Sequence, residues 1–201
     1  MTTIKTLTIE AADATVAEKF YQDAFGFGPE ISVIKSNSAT AGFRGVVISL
    51  LVTQPANATL LFDAAVAAGA SVVKSLEKSI WGFGGTLQAP DGTLWKVATS
   101  AKKDTTPPAK TVNSIVVLIA ASDVAASKKF YVEKGLKVGK SFGKYVEFDL
   151  SASPIKFGLY TTKALAKDAG VAPEGTGSHR IEFAGDLGTF TDPDGFVWAN
   201  A

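Results

Sequence analysis

The sequence predicts an α+β protein assembled from two tandem βαβββ modules, and three repeated landmarks predict it. Residues 4–21, IKTLTIEAADATVAEKFY, and residues 114–131, SIVVLIAASDVAASKKFY, share an apolar strand, an Asp at the helix entry and a short amphipathic helix ending in Phe-Tyr. Asp13 aligns with Asp123, Phe20 with Phe130 and Tyr21 with Tyr131. A glycine then stops each helix, Gly26 in the first copy and Gly135 in the second. Each copy closes on a turn between two strands, Ala89-Pro90-Asp91-Gly92 and Asp192-Pro193-Asp194-Gly195. The chemistry of such turns is specific: Pro fixes φ, Asp bonds its own backbone and Gly accepts positive φ. Three matched landmarks in the same order identify an internal duplication.

The first copy, residues 1–100, also carries strand patterns near 30–36 and 43–53. A helix follows near 57–69, supported by Ala65, Ala67, Ala68 and a stop at Gly69. The second copy, residues 112–201, is shorter, with strands near 144–150 and 155–160 and a helix near 162–169. From Arg180-Ile181-Glu182-Phe183 it passes almost at once into its closing hairpin. Residues 101–111, rich in Pro, Thr and Lys, have the composition of an exposed linker.

Hydrophobic residues make up 46% and charged residues 19% of the 201, as in a globular chain with a sizeable core. A formal net charge of +1 gives no electrostatic basis for binding nucleic acid or a membrane surface. The absence of cysteine excludes disulfides, thiolate metal sites and a cysteine nucleophile. Met1-Thr2-Thr3-Ile4-Lys5 opens directly into strand-like alternation without a leader pattern, so a cytoplasmic address is expected by elimination.

Paired modules that open on strand–Asp–helix–Phe-Tyr and close on Asp-Pro-Asp-Gly resemble the vicinal oxygen chelate superfamily. That group includes glyoxalase I, extradiol dioxygenases, fosfomycin-modifying enzymes and the bleomycin-resistance binding proteins. Trp81-Gly82 also falls where such modules often carry Trp-Gly. More narrowly, the chain resembles the two-module glyoxalase-like proteins of uncharacterised function common in actinobacteria. The resemblance covers nearly the whole chain and implies a cupped mixed β-sheet cleft with helices outside. It also implies four metal-ligand positions, usually His on each opening strand and Glu on each closing strand. Those positions are here Thr6, Val116, Lys96 and Ala199. A lone Thr is a poor divalent ligand, Val and Ala cannot coordinate, and an ammonium repels a cation. No metal and no other cofactor is therefore expected, and the superfamily's metal-dependent chemistries are disfavoured together.

Strand alternation puts every second residue on one face. If the resemblance's ligand face is the cleft face, Thr6, Thr8 and Glu10 point into it from one opening strand, and Val116 and Leu118 from the other. The closing strands add Lys96 and Ala199. Lys96 suits a base, an amine nucleophile or an anion site, and equally a salt bridge to Glu10. His179 is the only histidine and a candidate acid or base, although a loop-edge histidine bonded to backbone is the commoner case. Trp81 and Phe83 are pocket-wall candidates beside the glycines at 82, 84 and 85, whereas parity sends Trp95 and Trp198 to the helix side. Glu147 and Asp149 share a strand face that reads as solvent-exposed.

The first functional reading is a metal-free protein that binds a small apolar or aromatic, neutral or anionic organic molecule between the modules, as sequestering resistance proteins do. The alternative is a metal-independent isomerase, lyase or cyclase using Lys96, Glu10 or His179 as acid and base. A third is an interaction module with no ligand. The resemblance also allows a homodimer, because paired modules of this kind fill one cleft or swap between subunits.

Overall fold

The computed structural model describes residues 2–201 and shows which strands the duplicated landmarks bring together. The first half of the chain runs β1 (Ile4–Ala11), α1 (Ala14–Phe25), β2 (Ile31–Lys35), β3 (Thr40–Gly42), β4 (Val46–Leu51), α2 (Pro55–Ala67), β5 (Ser71–Ser79), β6 (Gly82–Gln88) and β7 (Leu94–Thr99). The second runs β8 (Ser114–Ala121), α3 (Val124–Glu133), β9 (Val138–Phe142), β10 (Tyr145–Phe148), β11 (Ile155–Thr161) and α4 (Thr162–Ala169). It ends with β12 (Gly175–Gly177), β13 (Ile181–Gly185), β14 (Phe190–Thr191) and β15 (Val197–Asn200). The aligned aspartates cap the aligned helices: Asp13 accepts from Val16 N, and Asp123 from Ala125 N and Ala126 N.

The sheets do not follow the halves. An eight-stranded sheet, ordered β5-β6-β7-β4-β8-β11-β10-β9, joins the end of the first half to the start of the second. A five-stranded sheet, β14-β15-β13-β1-β2, joins the two ends of the chain, and β3 pairs separately with β12. Two βαβββ units stand complete at 46–99 and 114–161, a shift from the boundaries that the repeat suggests. In each, the opening strand lies parallel to the closing one, β4 beside β7 and β8 beside β11, and the units meet antiparallel through β4 and β8. Strand β1 meets β13 antiparallel in the same manner in the other sheet. The central strands are legible in composition: Val46 through Leu50 are all buried, as befits a strand covered on both faces.

One core serves both sheets. It takes Leu7, Ile9, Phe183 and Trp198 from the five-stranded sheet and Ile48, Leu50, Trp95, Val117 and Phe157 from the eight-stranded one. The sheets therefore stack back to back, and alternation turns their other faces outward. Residues of α1, α2 and α3 join this core. Helix α4 behaves differently from the expected outside placement. Its Leu165, Ala166 and Ala169 pack on Val47, Leu94, Leu118 and Ala120, the opposite face of the eight-stranded sheet. It follows β11 without an intervening residue and covers the apolar end of that face.

The repeated Phe-Tyr and Pro-Asp-Gly landmarks touch each other. Tyr21 donates to Asp91 Oδ2 at 2.7 Å, and Tyr131 to Asp192 Oδ2 at 2.6 Å. Ala89 occupies the position equivalent to Asp192, so the first half uses its single turn acid, Asp91, at the position equivalent to Asp194. The aspartate thus left over in the second half, Asp194, accepts from Ser122 N and Ser127 Oγ. Residues 101–111 are likewise more tied down than a tether. Buried Gln54 accepts from Thr105 N and Thr106 N, and Asn57 Oδ1 accepts from Ala109 N, strapping this segment along the start of α2.

Tyr131 also accepts from Trp198 Nε1 at 3.1 Å, whereas Trp95 Nε1 has no partner. Tyr131→Phe is therefore expected to cost about 1–3 kcal/mol, leaving a buried carboxylate and an indole short of a partner. Tyr21→Phe is expected to cost less, and urea unfolding of both variants reads the order; equal losses would contradict it.

Candidate functional site

The concave face of the eight-stranded sheet is built by alternation and register. Pairing sets Thr86, Lys96, Ser49, Val116 and Lys156 in one row across β6, β7, β4, β8 and β11. Two cavities lie over this floor and share Lys96, Ala98, Leu118 and Tyr145. One, of about 880 Å³, is bordered by Trp81, Phe142, Tyr145, Tyr160, Lys96 and Asp168. The other, of about 550 Å³, is bordered by Ser49, Val116, Lys140, Glu147 and Lys156. Trp81 and Phe142 come from the hairpins at opposite edges of the sheet, so the sheet curves into a cup whose rim carries an aromatic on each side.

Glycine keeps the cup open. A Cβ on Gly84 would come within 2.6 Å of Val97 O, and one on Gly158 within 2.8 Å of Val146 O. Neither strand tolerates a side chain there; Gly84 borders the larger cavity, and Leu118 and Tyr145 close over Gly158.

The polar groups of the floor are mostly engaged. Lys96 Nζ lies 2.6 Å from Asp168 Oδ2, on the helix that enters the cup. Lys156 donates to the carbonyls of Leu150, Ser151 and Ser153. Tyr145 donates to Glu147 Oε2 at 2.9 Å, and its ring centroid is 5.2 Å from that of Tyr160. Thr86 is the exception: it is buried and its Oγ1 has no partner.

A divalent metal does not fit this donor set. The row offers two hydroxyls, a valine and two ammonium groups, against the carboxylate and imidazole ligands such ions require. Among the described residues no group of three or more His, Asp and Glu is placed to hold one.

The sequence-predicted residues divide between the two sheets. Lys96, Val116, Leu118 and Trp81 meet in the cup. Phe83 borders it, but its ring packs against the main core. Thr6, Thr8, Glu10 and Ala199 lie instead on the outward face of the five-stranded sheet, where Thr8 Oγ1 and Ser32 Oγ are 2.9 Å apart. The expected Glu10–Lys96 salt bridge is thus replaced by Asp168–Lys96, because the two opening strands belong to different sheets. Neither cavity of the cup is bordered by His179. Its Nδ1 is 2.7 Å from Arg44 O, its Nε2 is 2.9 Å from Asp194 O, and its ring stacks on Phe196. Both ring nitrogens thus face backbone carbonyls, which hold the imidazole between Arg44 and Asp194.

Thr86, Tyr145, Tyr160, Phe142 and Asp168 are site residues that sequence reasoning missed. The hairpin register around Pro90-Asp91-Gly92 pairs Thr86 with Lys96 and was a readable signal. Asp168 had none, because the seat of a helix on a sheet is not written in its own periodicity. Glu147, expected at the surface, instead borders the cup.

Burial raises the phenol of every tyrosine, with Asp91, Asp192, Glu147 and Asp168 adding to it at Tyr21, Tyr131, Tyr145 and Tyr160 respectively. A raised phenol favours the fold below the unfolded value near 10, and that stability is lost as pH rises through the folded value. Spectrophotometric titration of the folded protein should therefore find none of the four ionising with the midpoint of a free tyrosine. In Asp168→Asn one transition, that of Tyr160, should move downward; an unmoved profile would remove Asp168 from its surroundings.

No family model matches the chain, and no curated protein matches it in sequence. Among solved structures it is similar to glyoxalase I from Zea mays, with a TM-score of 0.64 and 14% identity over 100% of this chain and 92% of that one. It is also similar to a putative dioxygenase from Bacillus subtilis subsp. subtilis str. 168, with a TM-score of 0.57 and 12% identity over 96% of this chain and 71% of that one. Likeness at such identity concerns the path of the chain and leaves its chemistry to the site. The arrangement of strands, the paired units and the cup together give this chain the fold seen in that glyoxalase I and that putative dioxygenase.

Proposed function

We propose that the protein binds a small aromatic or apolar molecule, neutral or anionic, in the cup of the eight-stranded sheet and does so without a metal. The observation that carries this reading is the aromatic rim above a lysine floor. Trp81 and Phe142 are 83% and 86% exposed, an unusual state for large aromatics unless a partner covers them. Beneath them the tyrosine pair and Leu118 supply apolar wall, and Lys96 supplies positive charge where a chelating site would need ligands. Apolar walls with a few placed polar groups are the usual make-up of a small-molecule site.

The enzymatic alternative retains one of its three candidates in the cup, since Glu10 and His179 lie elsewhere. Lys96 acting as a base or nucleophile would have to give up its ion pair with Asp168. Binding therefore stands first, and a metal-independent isomerase, lyase or cyclase stands second, favoured only by the proximity of Tyr160 to that pair.

The test combines metal content and indole NMR. Mass-spectrometric metal analysis of untagged protein purified without chelator is expected to find only traces; a near-stoichiometric divalent metal would overturn the metal-free reading. The chain has three tryptophans, of which Trp95 and Trp198 are fully buried in the core. Titration with 1-naphthoate or 1-naphthylmethanol should move the Trp81 indole resonance alone. If both probes leave it in place, the cup is not the binding site.

A further inference from the structure

We infer that the cup floor contains a carboxylate-binding position made by Lys96 Nζ and Thr86 Oγ1, for which Asp168 of α4 is a built-in competitor. The inference rests on the proposed binding role of the cup and names the ligand class: aromatic carboxylic acids.

Two independent observations meet at this position. Thr86 is 1% exposed, sits directly across from Lys96 on the cup side, and leaves its hydroxyl without a hydrogen bond. A buried hydroxyl without a partner is disfavoured, so an acceptor that reaches it gains more than one meeting water. Lys96 has three donor protons, yet among the described residues its Nζ bonds only Asp168. The floor thus presents unused donors on two directly paired residues of neighbouring strands that border one cavity.

Asp168 is poorly suited to hold that point permanently. It lies in the last turn of α4, just before the Gly170 cap, where the helix dipole disfavours negative charge. Its side chain is 37% exposed, so the carboxylate has a route to water. Asp168 does not reach the Thr86 hydroxyl. A ligand carboxylate that displaces it makes the same ion pair and adds the missing hydrogen bond, a charge-assisted one. The Tyr145–Tyr160 ring pair borders the same cavity and offers a surface for the body of an aromatic acid.

The experiment is calorimetric titration of the full chain with 1-naphthoate and with 1-naphthylmethanol, its neutral counterpart. Wild-type protein is expected to prefer the naphthoate. Asp168→Asn should tighten naphthoate by about fivefold, the scale of one half-exposed ion pair, and leave the alcohol unchanged. Thr86→Val should lower the preference and Thr86→Ser should restore it, a pattern that loss of packing alone would not give. If Thr86→Val unfolds, Thr86→Ser and Asp168→Asn still carry the comparison, with near-UV circular dichroism confirming the fold. Equal affinity for the two probes, or weaker naphthoate binding in Asp168→Asn, overturns the carboxylate position while leaving the cup as a binding site. Failure of both probes overturns the position together with the cup.

Discussion

Two tyrosine–aspartate hydrogen bonds, one buried and one half-buried, hold the exchange of strands on which the architecture depends. Tyr21 extends from the helix that follows the five-stranded sheet's β1, and its acceptor Asp91 lies in a turn of the eight-stranded sheet. Tyr131 extends from the helix after β8 of the eight-stranded sheet, and Asp192 lies in a turn of the five-stranded one. Each bond crosses from one sheet to the other, and the phenols are buried deeply enough that the bond forms in low dielectric. The sheets are thereby stacked back to back with their large aromatics, Trp95 and Trp198, between them.

That stacking decides where chemistry can occur. Once the core-facing sides of both sheets are committed to one interior, only the outward faces remain for a ligand. The eight-stranded sheet has walls, because its edge hairpins rise on both sides of the floor. The five-stranded sheet has two strands on one side of its β1–β13 centre and one on the other, and it offers no such enclosure. Helix α4 then fills one end of the cup and carries Asp168 to its floor.

The fold's solved relatives include a glyoxalase I and a putative dioxygenase, yet the residues across this floor are Thr, Lys, Ser, Val and Lys. A row of side chains across one floor can hold a cation or an anion at a given point, according to the residues it carries. In this chain the charge at that point is positive and already half answered by Asp168.

Much of this was determined by the sequence itself. Period-2 alternation, the aspartate caps, the glycine stops and the Pro-Asp-Gly turns are local, so the central strands, the helices and the burial of Trp95 and Trp198 follow from residues within a few positions, whereas the edge strands β5 and β9 carry no such signal. Parity together with the resemblance's ligand face put Lys96 and Val116 on one face, and pairing sets both beside Ser49 in one row. Parity says which way a strand's residues face, but not which sheet the strand joins. Only tertiary pairing separated Thr6, Thr8, Glu10 and Ala199 from the cup, and only helix packing brought Asp168 to Lys96. Those choices rest on contacts between segments far apart in sequence, whose partners no local pattern names.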